Sequence, residues 1–164
     1  MGASLDVTFK HDALTGKPRY VTNTDIQAVA SSVRAQAGLG DKRCITGDDL
    51  LAIKGGRANG TAYAIEWSVE AAVTNEQGQP VLGLCEYDAQ GLPDTALIFV
   101  NPEAVAAYDG LLISTLAHEL GHGVFDVPGW IIASETRALP GLCVAPMRQR
   151  YRCETPDAQH LSPV

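Results

Sequence analysis

The stretch Leu111-Leu112-Ile113-Ser114-Thr115-Leu116-Ala117-His118-Glu119-Leu120-Gly121-His122-Gly123-Val124-Phe125 decides how the rest of the chain is read. Asp109-Gly110 introduces it and Asp126-Val127-Pro128-Gly129 breaks it, so a helix over Leu111–Phe125 is expected. Residues four apart share one face of a helix, a turn apart. His118 and His122 therefore present their imidazoles side by side. Two neutral imidazoles so placed can each give one nitrogen to a single Zn²⁺ at about 2.0–2.1 Å. Glu119 points about 100° around the helix. That is a poor position for a ligand beside both histidines. It is a good one for taking a proton from a water at the metal and returning it to a leaving amine. An H-E-x-x-H run arises by chance in a chain of this size roughly once in a few hundred. The apolar flanks Leu116, Leu120, Val124 and Phe125 add weight. The bland alternative is a partly buried helix with two hydrogen-bonded histidines.

Working outward, Ala96-Leu97-Ile98-Phe99-Val100 reads as a strand terminated by Asn101-Pro102. Further back, Tyr63, Ile65, Trp67, Val69, Ala71 and Val73 alternate with Ala64, Glu66, Ser68, Glu70 and Ala72, the period of two of a half-buried strand. Asn75–Pro80 is a turn and Val81–Tyr87 a second strand, so an antiparallel hairpin is expected. Gly91-Leu92-Pro93-Asp94 then turns into the third strand. At the start of the chain Leu5–His11 reads as a short strand and Asp12–Pro18 as a turn. Asn23 or Thr24 is expected to cap a helix running to about Ala37, with Ile26, Val29, Val33 and Ala37 on one stripe. Gly38-Leu39-Gly40 ends it. Thr46-Gly47-Asp48-Asp49 opens a short helix that Gly55-Gly56 and Asn59-Gly60 stop. Beyond the motif, a helix is expected from Ile131 to about Leu139, then irregular chain with a helical turn near Met147–Tyr151. Helix, antiparallel or mixed sheet, helix, helix is an α+β order.

The 164 residues fit one domain, 1–164. Apolar residues make up 46% and charged residues 19%, an ordinary globular balance. A net charge of −7 disfavours a nucleic-acid partner. Arg148, Arg150 and Arg152 form the one basic cluster worth naming, more simply a solvated stretch than a phosphate or carboxylate site. No apolar run is long enough to span a bilayer. Met1–Asp6 lacks the basic and apolar regions of a signal peptide. Cys44, Cys85, Cys143 and Cys153 contain no C-x-x-C pair. Their even count fits two disulfides, Cys143–Cys153 and Cys44–Cys85, in an oxidising compartment, or else four free thiols.

The run Ala96–Pro102, followed by Thr115-Leu116-Ala117-His118-Glu119-Leu120-Gly121-His122-Gly123, resembles the zincin metallopeptidases. It is particularly similar to the compact gluzincin type, including ImmA/IrrE-like peptidases. The resemblance covers about Ala96 to Pro140; residues 1–90 carry none. It implies a zincin-like fold, with the motif helix followed by a second ligand-bearing helix. It also implies a sheet whose edge binds substrate as an extra strand. Gluzincins take their third ligand from the next helix, where Glu135 stands in Ala133-Ser134-Glu135-Thr136-Arg137. A tight reversal at Val127–Trp130 would bring that helix back across the first. Phe125 and Pro128 occupy the positions a metzincin would fill with Gly and a ligand, so that subtype does not fit, and Met147 is read as core.

Asp126 is the rival third ligand, usable if the helix breaks after Gly123; its simpler role is to end the helix. His160 is a third candidate, or a donor to the oxyanion, with Tyr151 and Tyr108 as alternative donors. Arg137 is read as a salt-bridge partner of Glu135. Trp67 and Trp130 are read as core anchors, Trp130 also as a wall of the cleft. Cys85 as the metal-binding Cys of a peptide deformylase lacks that family's flanking pattern. The expected activity is a zinc-dependent peptidase acting on a protein or peptide, with Zn²⁺ as cofactor. A secreted or periplasmic effector or toxin domain delivered by a secretion apparatus is one setting. The alternative is an inactive binding or regulatory domain on a zincin scaffold.

Overall fold

The structure is a computed structural model that describes residues 3–137 and the backbone of 148–153. It is a mixed α+β fold in which helices pack against a six-stranded mixed sheet. In chain order the elements are β1 (Ala3–Val7), α1 (Asn23–Gln36), α2 (Gly47–Leu51), β2 (Ile53–Ala58), β3 (Thr61–Ser68), β4 (Gly83–Asp88), β5 (Leu92–Val100), α3 (Pro102–Val105), α4 (Asp109–Phe125), α5 (Val127–Arg137) and β6 (Arg148–Cys153). The sheet order is β1-β2-β3-β5-β4-β6. β1 pairs with β2 and β3 with β5 in parallel; the other three pairings are antiparallel.

The expected alternation holds over the first part of β3, where Tyr63 and Ile65 are buried while Ala62, Ala64 and Glu66 are exposed; beyond Ser68, where the strand ends, Ala71 is exposed instead of inward. One face of the sheet is thus covered and the other is largely open to solvent there, as antiparallel and mixed sheets allow. The buried face joins Leu5, Ile53, Ile65, Ala96, Ile98 and Val100 to Leu116, Leu120 and Val124 of α4 and Ile131 of α5 in one cluster.

Several expectations change. The helix cap is Thr22, one residue earlier than expected. Its hydroxyl accepts from Asp25 N–H while Thr22 N–H donates to Asp25 Oδ2, a reciprocal capping box. Gly55-Gly56 does not stop an element; it lies inside strand β2. A Cβ on Gly55 would run into the Tyr63 carbonyl and one on Gly56 into the backbone of Leu5, so only glycines let β1, β2 and β3 approach. The hairpin expected between the strands on either side of Asn75–Pro80 does not form. β3 ends at Ser68, and β5 inserts between it and β4. β4 instead forms a hairpin with β5, closed by Asp88 Oδ1 accepting from Gln90 and Gly91 N–H. Chain expected to be irregular or helical near Met147–Tyr151 instead contributes β6.

Cys44 is exposed and Cys85 buried, and both thiols are free, so the Cys44–Cys85 disulfide is not formed. Cys143 lies outside the described residues. Among the described residues no helix is long and apolar enough to cross a membrane.

Candidate metal and catalytic site

Helix α4 puts Thr115, Leu116, Glu119, Leu120, Gly123 and Val124 into the interior. At about 100° per residue these form a continuous sector. Gly123 meets Ile98 and Ala96 of β5. Thr115 and Glu119 meet Gly83 of β4. The next sector in the same sense holds His122 and His118, so the two imidazoles fall beyond β4, on the side where β6 pairs with it.

There the rings converge. His118 Nε2 and His122 Nε2 stand 3.1 Å apart, ring centroids 4.8 Å apart and planes inclined by 78°. Two nitrogens sharing a tetrahedral zinc would be separated by about 3.3 Å. His122 Nδ1–H donates to Asp126 Oδ2 at 2.7 Å. That bond fixes the tautomer and leaves Nε2 with its lone pair toward His118. Burial, and after it the neighbouring His122, push the His118 pKa down, which favours the neutral form a metal requires.

Glu119 is fully buried, yet neither carboxylate oxygen has a hydrogen-bond partner. Burial raises its pKa to about 7, with His122 acting in the opposite sense. Its closest restraint is Gly83: a Cβ there would stand 2.7 Å from Glu119 Oε1 and 2.9 Å from Thr115 Cγ2. The sequence reading passed over Gly83, although a glycine inside the apolar strand Val81–Tyr87 is the usual sign of a close approach.

The other candidates disperse. Asp126 faces His122 Nδ1 and acts on the ring from behind. Asp126 is also the single residue between α4 and α5. Its dihedrals, φ −105° and ψ −42°, stay near helical, and Trp130 N–H bonds back to its carbonyl. The chain therefore carries on into α5, with Pro128 in its first turn, in place of the tight reversal expected at Val127–Trp130. Glu135 is exposed on α5, thirteen residues past His122, about 20 Å along a straight continuation. Among the described residues no group of three or more His, Cys, Asp or Glu side chains is set to hold a metal ion. Two histidine nitrogens thus stand near the spacing zinc asks of two ligands, and among the described residues no third ligand is gathered to them. Cys85 is a buried thiol whose pKa is raised by burial, then by Glu119, Asp126 and Glu86; it belongs to no such group.

Tyr108 stands at the N-cap of α4, about 15 Å along the axis from His118. Tyr151 pairs by register with Cys85. His160, Met147 and the side chain of Arg137 lie outside the described residues. Trp130 packs in the core against Tyr87, ring centroids 6.4 Å apart. Trp67 is half-buried and its Nε1–H donates to Ile53 O. Comparison with protein-family models, curated proteins and solved structures finds no match to this chain.

Proposed function

We propose that this chain is a zinc-dependent peptidase of zincin type, with His118 and His122 as metal ligands and Glu119 as general base. The observation that carries this reading is the juxtaposition of two converging imidazole nitrogens with a fully buried carboxylate that has no other partner. A structural carboxylate of that kind costs stability and returns nothing, whereas a general base is best poised near neutral pH. Bound zinc supplies a Lewis acid that acidifies water and polarises the scissile carbonyl. Glu119 takes the proton of the attacking water and hands it to the departing amine. Asp126 holds His122 in its working tautomer. Glu135 is the third ligand by the zincin resemblance, and reaching the pair requires α5 to move about the Asp126 junction. His160 is the donor assigned to the oxyanion. The substrate is an extended peptide or unfolded protein segment. A secreted or periplasmic effector is the setting proposed for it.

The test is zinc stoichiometry and affinity in the wild type beside His118→Ala, Asp126→Asn and Glu135→Ala, with turnover of an unstructured protein. One zinc per chain is expected, lost in His118→Ala and weakened roughly 10- to 100-fold in Asp126→Asn. Failure of the wild type to take up zinc after reconstitution would make the two histidines structural and leave the non-enzymatic scaffold standing.

A further inference from the structure

β4 has two edges. Its inner edge is taken by β5. Its outer edge is the backbone nearest the site, because Gly83 lies against Glu119 and the histidine sector of α4 falls just beyond it. An extended peptide pairing with that edge would run across the site, the usual way a sheet edge captures a peptide. In this chain the edge already has a partner. β6 runs antiparallel to β4 over six residue pairs, from Asp88↔Arg148 to Gly83↔Cys153, and also lies against α4. The pair Gly83↔Cys153 stands at the point closest to Glu119.

We propose that β6 is an internal occupant of the peptide-binding edge, so that the chain restrains its own site and a substrate must displace β6 to pair with β4. The proposal rests on the peptidase reading above. β6 is tethered to the same chain, and an untethered peptide making the same backbone bonds competes against a partner at about millimolar effective concentration. Poor substrates are therefore excluded, and only a segment that also fills side-chain sites beside the histidines gains entry.

Proline replaces an N–H and cannot join a ladder on its bonded side, while an outward position on an edge strand tolerates it. Adjacent strand residues alternate between those two positions. Gln149→Pro and Arg150→Pro in the full chain therefore carry their own control. The variant that removes a bond to β4 should speed amide hydrogen exchange over residues 83–88 and raise kcat/KM for an unstructured protein at least tenfold. It should also bind a fluorescein-labelled peptide of sequence Arg-Gln-Arg-Tyr-Arg-Cys that the wild type leaves free. The other variant should match the wild type, and far-ultraviolet circular dichroism reports whether each is folded. Faster exchange at β4 with equal or lower turnover, in a protein that cleaves its substrate, would overturn the proposal and leave the peptidase intact. Unchanged exchange in both variants would overturn it as well. If no zinc-loaded form cleaves anything, the peptidase reading falls, and the labelled peptide decides the occupancy: binding by the opened variant alone supports it, and binding by neither overturns it.

Discussion

Glu119 is a carboxyl group placed where its charge is poorly solvated, and that has a sign. Its pKa rises from 4.5 to about 7, so between those values the folded chain holds a proton that the unfolded chain has released. The associated stability is fully present below about pH 4.5 and is lost as pH rises through about 7. The complete difference corresponds to about 3 kcal/mol. Melting of the metal-free protein should therefore move to lower temperature from pH 5 to pH 8. Glu119→Gln should flatten that part of the profile while abolishing turnover; an unchanged slope would assign the titration to another group. Gly83 answers to the same carboxylate. Gly83→Ala puts a methyl group 2.7 Å from Glu119 Oε1, against β4 backbone that cannot withdraw. It should cost about 1–3 kcal/mol in chemical denaturation and lower kcat more than zinc affinity, since the histidines are not touched.

Among the elements, those with a strong period were legible in the sequence. The apolar sector of α4 was read close to its observed bounds, and with it the helix that carries His118, Glu119 and His122, whereas the alternation expected over Tyr63–Val73 overran β3, which ends at Ser68. What failed was whatever depends on a neighbour far away in sequence. Gly55-Gly56 looks like punctuation until Leu5 and Tyr63 are seen to press on either side of it. The turn at Asn75–Pro80 is present, with Asn75 Oδ1 accepting from Gln77 and Gln79 N–H, but the strands it separates are not partners. A parallel pairing such as β3–β5 carries no local signal that would announce it. Gly56→Ala separates the two readings of the glycine pair. In a loop the change would be neutral or mildly stabilising; inside β2 it should cost about 3 kcal/mol, visible as a lower denaturation midpoint. Asp126 was legible as a helix end but not as the partner of His122, because that role depends on a rotamer within the last turn.

At the scale of the molecule, the site is one helix laid across one strand, and metal should act on the stability of the whole. If the proposed site takes zinc, free metal at about a thousand times the dissociation constant should add about 4 kcal/mol to the folded state. The melting temperature should rise accordingly, and a chelator should reverse the rise. His118→Ala should show no shift; a full shift in that variant would place the metal elsewhere in the chain. β1 imposes a different demand. Its partner β2 begins fifty residues later than β1 itself, and the pairing is parallel. During synthesis Leu5, Val7 and Phe9 therefore leave the ribosome well before anything exists for them to pair with. Contacts of such long sequence separation form late, so this segment has α1 to pack against but no strand partner while the middle of the chain is made. The nascent protein is most prone to aggregation in that interval, and the yield of folded chain should be limited there and not at the site.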